Sequence, residues 1–187
     1  MNWFFKFLSS SVGKKALMAV TGLLLCGFLV AHLAGNLLLY VSADAYNAYA
    51  HQLHEQQALL VVAEIGLFAV IILHLVLAVM TKAENDSARN VEYAVRQTKQ
   101  KGSVMAFPAH STMWFTGVVV LLFLLLHLAD FKFELRGEGI QSLTPYAKAE
   151  RLLEDKLTFI VYIIGSLVLG YHLSHGFQSA FQTLGLN

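Results

Sequence analysis

The chain has 187 residues, 57% of them hydrophobic and only 13% charged, with a formal net charge of +1. A soluble domain typically carries about a quarter charged residues, and a near-neutral chain gives no hint of a nucleic-acid partner. The single cysteine, Cys26, has no partner for a disulfide and reads as a buried free thiol.

The apolar residues gather in four blocks, each long enough for the roughly 20 residues a helix needs to cross a bilayer. Ahead of them, residues 1–15 begin Trp3-Phe4-Phe5-Lys6-Phe7-Leu8, an aromatic and basic mix that suits a short helix lying at the membrane interface. Helix I is predicted over 16–41. Its basic lead-in (Lys6, Lys14, Lys15) resembles that of a signal peptide, but the apolar run is too long and no small-residue cleavage site follows, so it reads as retained. A short connection with Asp44, Tyr46, Asn47, Tyr49, His51, His54 and Glu55 leads to helix II, predicted over 57–81. Residues 82–111 form a polar connection, helix III is predicted over 112–131, a second polar connection covers 132–156, and helix IV follows over 157–177. The expectation is an all-α transmembrane bundle, one domain over 1–187 with four spanning helices.

Orientation follows from the basic residues. Lys6, Lys14, Lys15, Lys82, Arg89, Arg96, Lys99 and Lys101 fall on one side of the membrane. The other side holds Lys132, Arg136, Lys148, Arg151 and Lys156, offset by Glu134, Glu138, Glu150, Glu154 and Asp155. The positive-inside rule makes the N-terminus cytoplasmic and, with four spans, the C-terminus too.

Each span holds a histidine within apolar surroundings: His32, His74, His127 and His172. An ionisable side chain in hydrocarbon is costly and marks a functional site by default. A single such histidine is equally well explained as an imidazole hydrogen-bonded to a neighbouring helix; one in every span is harder to explain that way. At 1.5 Å per residue, His32 and His127 lie roughly 24 Å from the cytoplasmic helix ends, but His74 and His172 only about 7–11 Å. They therefore form an outer and an inner pair, roughly 15 Å apart. Two axial imidazoles from two helices make a six-coordinate haem, so two pairs point to two haems stacked across the membrane. A single four-histidine metal site would need all four at one depth. Zinc or copper transport usually adds carboxylates or thiols, of which the helix interiors offer Glu64 and Cys26. A proton relay would not require paired depths.

Gly35, Gly165 and Gly176 share the ligand faces, where a missing side chain makes room for a porphyrin; glycine there equally serves close helix packing. His175, on the face of His172, is the rival ligand, while His51, His54 and His110 read as interfacial, with a quinone or haem-propionate role open to them. No phosphate loop, nucleophile elbow, zinc spacing or CxxCH haem-attachment motif occurs, so any haem is non-covalent and b-type.

One histidine per span, the segment His32-Leu-Ala-Gly-Asn36 and the run from His172 through His175 to Phe181 resemble the cytochrome b membrane-anchor subunit of succinate:quinone oxidoreductases. The resemblance is to the di-haem, single-anchor branch of bacterial succinate dehydrogenases and fumarate reductases, and it covers essentially the whole chain. It implies location in the bacterial cytoplasmic membrane and cytoplasmic flavoprotein and iron–sulfur partner subunits. It also implies electron transfer between those subunits, two haems b and a quinone, usually menaquinone. By position the family's outer ligands fall on His32 and His127 and its inner ligands on His74 and His172. Two features depart from it. The family typically has a fifth helix after the fourth histidine, with no counterpart before Asn187: either the sequence is truncated or this member lacks it. The glutamate that some fumarate reductases carry two residues before the fourth ligand is here Gly170.

The expected function is thus a haem-bearing anchor linking a cytoplasmic dehydrogenase to quinone, with no succinate site of its own. Asp44, Tyr46 and His51 offer hydrogen bonds for a quinone carbonyl. The rivals are a free-standing transmembrane cytochrome b, the haem anchor of a hydrogenase or formate dehydrogenase, and, in another class, a histidine-based proton or metal channel.

Overall fold

The computed structural model describes residues 2–88, 109–137 and 139–186, with the backbone alone at 109–111. The basic stretch 89–108 of the second connection, Glu138 and the side chain of His110 lie outside the described residues. Among the described residues the structure is α-helical, with two short 3₁₀ turns and no strand. In chain order the helices are α1 (Trp3–Ser9), α2 (Ser11–Asn36), α3 (Ala43–Glu55), α4 (Gln57–Ser87), α5 (Ala109–Phe131), α6 (Pro145–Glu154) and α7 (Lys156–Leu184).

Four of these are long and apolar enough to cross a membrane: Ser11–Tyr40 (α2 with the 3₁₀ turn that continues it), Gln57–Ser87, Thr112–Phe131 and Lys156–Leu184. Their outward faces are apolar and bare, with Leu24, Ile65, Phe115 and Leu167 each more than half exposed. Such surfaces are stable in hydrocarbon, where each helix satisfies its own backbone hydrogen bonds. The chain is an all-α, multi-pass membrane bundle.

The helices outrun the apolar blocks that mark them. Hydropathy shows where hydrocarbon ends, whereas helical hydrogen bonding continues into the polar flanks until a cap stops it. Thus α2 starts at Ser11, because the Ser10 side chain accepts from the Gly13 amide at 3.0 Å. A Cβ on Gly13 would collide with the Phe7 carbonyl, so the tight corner between α1 and α2 requires glycine there. At the start of α7 the Asp155 carboxylate accepts from the Thr158 amide at 2.8 Å. These bonds, backbone first, hold the Asp155 carboxyl below its ordinary range. At the end of α7, Gly185 takes the left-handed conformation (φ +71°) that terminates a helix.

Two segments expected to be plain connections are helical. Ser42 caps α3 by accepting from the Ala45 amide. Thr144 caps α6, with Pro145 at its first position, where the missing N–H costs nothing. The two short helices pack on each other at one end of the bundle, where the Asn47 side-chain oxygen accepts from the Tyr146 amide at 3.0 Å.

Consecutive spans run antiparallel. Lys14, at the start of α2, pairs with Glu84, near the end of α4. Lys132, just past α5, pairs with Glu64, near the start of α4. The end holding the start of α2 is here the near end; α3 and α6 cover the far end. Helix α2 packs against α4 and α7, and α5 packs against α7. Helices α4 and α5 share no comparable interface among the described residues. The interfaces bury small side chains, including Ala19, Thr21, Thr116, Thr158 and Ala180, as helices approaching closely in lipid require.

Candidate functional site

The four span histidines stand in two pairs, each drawn from two non-consecutive helices. At the far level His32 of α2 meets His127 of α5, ring centres 5.7 Å apart and planes at 85°. Aromatic rings one helical turn away enclose them. Phe28 stacks on His32 at 5.3 Å. Phe123 and Phe131 flank His127 on its own helix, and Tyr162 of α7 reaches it at 6.1 Å. At the near level stand His74 of α4 and His172 of α7, placed there by Thr21 and Thr116 at matching positions of α2 and α5. The helical-rise arithmetic gives the same two levels. His175 is turned against the Tyr171 ring, 4.7 Å between centres.

The near-level histidines have hydrogen-bond partners that sequence reasoning missed. The Thr21 hydroxyl of α2 lies 3.0 Å from His74 Nδ1. The Thr116 hydroxyl of α5 lies 3.0 Å from His172 Nδ1. In each case the next residue is a glycine whose added Cβ would stand 3.4 Å from the same imidazole's Cε1: Gly22 against His74, Gly117 against His172. The signal was present in the sequence. Thr21-Gly22, Phe28-Leu29 and His32-Leu33-Ala34 recur at the same spacing as Thr116-Gly117, Phe123-Leu124 and His127-Leu128-Ala129. Helices α2 and α5 are therefore two copies of one pattern, each offering a Thr-Gly pair to the near level and a histidine to the far level.

The glycines singled out for porphyrin room are occupied differently. The Tyr49 ring of α3 fills the space at Gly35, the Phe123 ring packs into Gly165, and Met113 Cε lies 3.8 Å from a Cβ built on Gly176.

Beyond His127 lies a second feature absent from the sequence reading. Asp130 is fully buried and accepts two hydrogen bonds from the Arg136 guanidinium, from Nε and, at 2.8 Å, from Nη2. The Tyr162 hydroxyl donates to Asp130 at 2.7 Å, and Arg136 also donates to the Thr158 hydroxyl at 3.3 Å. The Asp130 hydrogen bond is the main reason the Arg136 proton is held above its ordinary range. A buried carboxylate needs such partners, and this one is fully supplied.

A cavity of about 320 Å³ opens at the far end where α4 and α5 part. Leu53, His54, Glu64, His127, Phe131 and Lys132 are among the residues lining it. The three residues proposed for a quinone lie elsewhere, on α3. Asp44 sits in its first turn, the Tyr46 hydroxyl donates to the Asn36 side chain at 3.4 Å, and His51 is exposed beside Glu55. Burial, then Tyr49, raises the Tyr46 phenol above its ordinary range. His54 donates from Nδ1 to the Ala50 carbonyl at 2.7 Å, leaving Nε2 able to accept.

Among the described residues no three His, Cys, Asp or Glu side chains converge on one point. The donor sets available are the two imidazole pairs. Comparison with protein-family models, with curated proteins and with solved structures gives no match to this chain.

Proposed function

We propose that this chain is a di-haem b membrane anchor that passes electrons between a cytoplasmic dehydrogenase and membrane quinone, of the succinate dehydrogenase or fumarate reductase kind. The observation that carries the reading is the pairing of four intramembrane histidines at two depths, each pair contributed by two different helices. The donor chemistry supports it. Two imidazoles with no added carboxylate or thiolate suit an iron porphyrin, which brings its own equatorial ligands. The His32 and His127 ring centres stand 5.7 Å apart, close enough for both imidazoles to serve one bound group. Two buried hydroxyls, Thr81 about two turns past His74 on α4 and Tyr171 next to His172 in the chain, have no hydrogen-bond partner among the described residues, as polar groups awaiting a ligand would not.

When bound, the two haems supply reversible one-electron carriage across the bilayer. The chain's part would be to hold the two haems through His32 with His127 and through His74 with His172, and to shield the far-level pair with Phe28, Phe123 and Phe131. In this reading the near end is cytoplasmic and docks the iron–sulfur and flavoprotein subunits. What supports quinone at the far end is the cavity that exposes His127 beside His54, Glu64 and Lys132, because a quinone that takes up electrons also needs proton donors. That cavity is a better candidate than Asp44, Tyr46 and His51, none of which lines it. Menaquinone follows from the family resemblance alone.

The test is spectroscopic. The purified complex should show two haems b per chain, with flavin and iron–sulfur subunits copurifying. His32→Ala or His127→Ala should deplete one spectral component and His74→Ala or His172→Ala the other, after normalisation to assembled protein. His175→Ala should retain both. A haem-free wild type would refute the reading, and loss of the same component in His32→Ala and His74→Ala would refute the pairing.

A further inference from the structure

The hydroxyls of Thr21 and Thr116 have only one hydrogen each and more than one neighbour able to take it. Thr21 Oγ1 lies 2.9 Å from the Leu17 carbonyl and 3.0 Å from the Met18 carbonyl of its own helix, besides facing His74 Nδ1. Thr116 Oγ1 likewise lies 3.2 Å from the Met113 carbonyl while facing His172 Nδ1. A carbonyl can only accept, so a hydroxyl hydrogen given to the helix backbone leaves Oγ1 as an acceptor toward the ring. The imidazole must then carry its hydrogen on Nδ1, and Nε2 keeps its lone pair.

From this we infer that Thr21 and Thr116 are positioning residues that hold His74 and His172 in the metal-binding tautomer and set the electron affinity of the near-level haem. The inference rests on the di-haem reading above. Both threonines are buried, 4% and 7% exposed, so no water competes for the ring nitrogen. Gly22 and Gly117 follow the two threonines, and a Cβ built on either would stand 3.4 Å from Cε1 of the same ring, in ordinary van der Waals contact. The same Thr-Gly mount occurs twice, on two helices, against two histidines of one level. His32 and His127, by contrast, have no side-chain hydrogen bond among the described residues and are held by aromatic contacts. A hydrogen bond donated from the far nitrogen of a ligating imidazole makes the ligand more basic, and so favours the oxidised metal. Removing it should make the near-level haem easier to reduce.

The experiment is a redox-titrated difference spectrum of the whole purified complex carrying Thr21→Val, Thr116→Val, Thr21→Ser or Thr116→Ser. Valine keeps the shape of threonine and lacks the hydroxyl; serine keeps the hydroxyl. The near-level component is identified beforehand as the one depleted in His74→Ala. Each valine variant should raise the midpoint of that component, shifting its reduced-to-oxidised ratio at fixed potential by about tenfold, the low end of what such partners contribute. For a one-electron couple this is about 59 mV. Each serine variant should stay at the wild-type value, and the far-level component should not move. An assembled valine variant with an unchanged near-level midpoint would overturn the inference, as would Thr21→Val and Thr116→Val moving different components. Should a valine variant assemble without its near-level haem, the serine variant decides. Retention of haem at the wild-type midpoint supports the hydroxyl's role, and equal loss overturns it. Failure of the underlying reading shows separately, as a wild-type complex without haem.

Discussion

Replacing Arg136 by alanine tests whether the far end is held by a buried charge pair. Asp130 has no solvent exposure, while the Arg136 side chain is 41% exposed. Removing one partner of a buried pair costs about 3–5 kcal/mol, mostly because the other charge is left uncompensated. Since water already reaches Arg136, the low end applies, and we predict about 3 kcal/mol for Arg136→Ala. Tyr162 still donates to Asp130 in that variant, which also argues against the upper figure. The sharper prediction concerns the double variant. Asp130→Asn removes the stranded charge, so Asp130→Asn/Arg136→Ala should be more stable than Arg136→Ala alone, by about 1–2 kcal/mol. Equilibrium unfolding in mixed micelles, followed by intrinsic tryptophan fluorescence, measures both. A double variant no more stable than Arg136→Ala would show that buried charge is not the source of the loss.

The basic residues of the N-terminal tail and second connection predict a cytoplasmic reading for reporter fusions at residue 95 and an exterior reading near residue 48; the opposite pattern would invert the proposed docking end. Crosslinks from a copurifying iron–sulfur subunit should reach Arg89 or Lys99, and crosslinks confined to residues 132–156 would contradict near-end docking. Asp155 makes the start of α7 sensitive to acid. Its folded-state pKa lies below the ordinary 3.8, so its capping contribution is complete above that value and is lost as pH falls through the folded pKa. Hydrogen exchange at the Thr158 amide should therefore show protection that declines only in that acid range, and Asp155→Ala should abolish the pH dependence.

Much of this architecture was legible in the sequence because its governing physics is local. An apolar block marks a span whatever it packs against, and a lone histidine in such a block stands out by its desolvation cost alone. Depth arithmetic needs only the rise of a helix, which is why it reaches the same two levels as the structure. Helices α3 and α6 escaped because their polar composition resembles that of a loop, although Ser42 and the Thr144-Pro145 pair were readable start signals. Asp130 escaped for a different reason. It closes an apolar run beside Lys132, where a carboxylate reads as the wet end of a helix; only the fold of 132–158 brings Arg136, Tyr162 and Thr158 around it. The Thr-Gly repeat needed no tertiary information, only a comparison of helix I with helix III.

That repeat also locates where the two halves of the bundle differ. Their near levels match: threonine on Nδ1 and glycine against the ring, on both sides. The differences gather at the far end. One turn past the histidine, α2 has Gly35, against which Tyr49 packs, whereas α5 has Asp130 with its arginine. Helix α2 packs against α7, but the equivalent contact of α5 with α4 is opened, and the cavity beside His127 occupies the gap. Of the four span histidines, His127 alone is among the residues lining that cavity. A small molecule entering it would meet His127 and the His54, Glu64 and Lys132 side chains around it, and not His32.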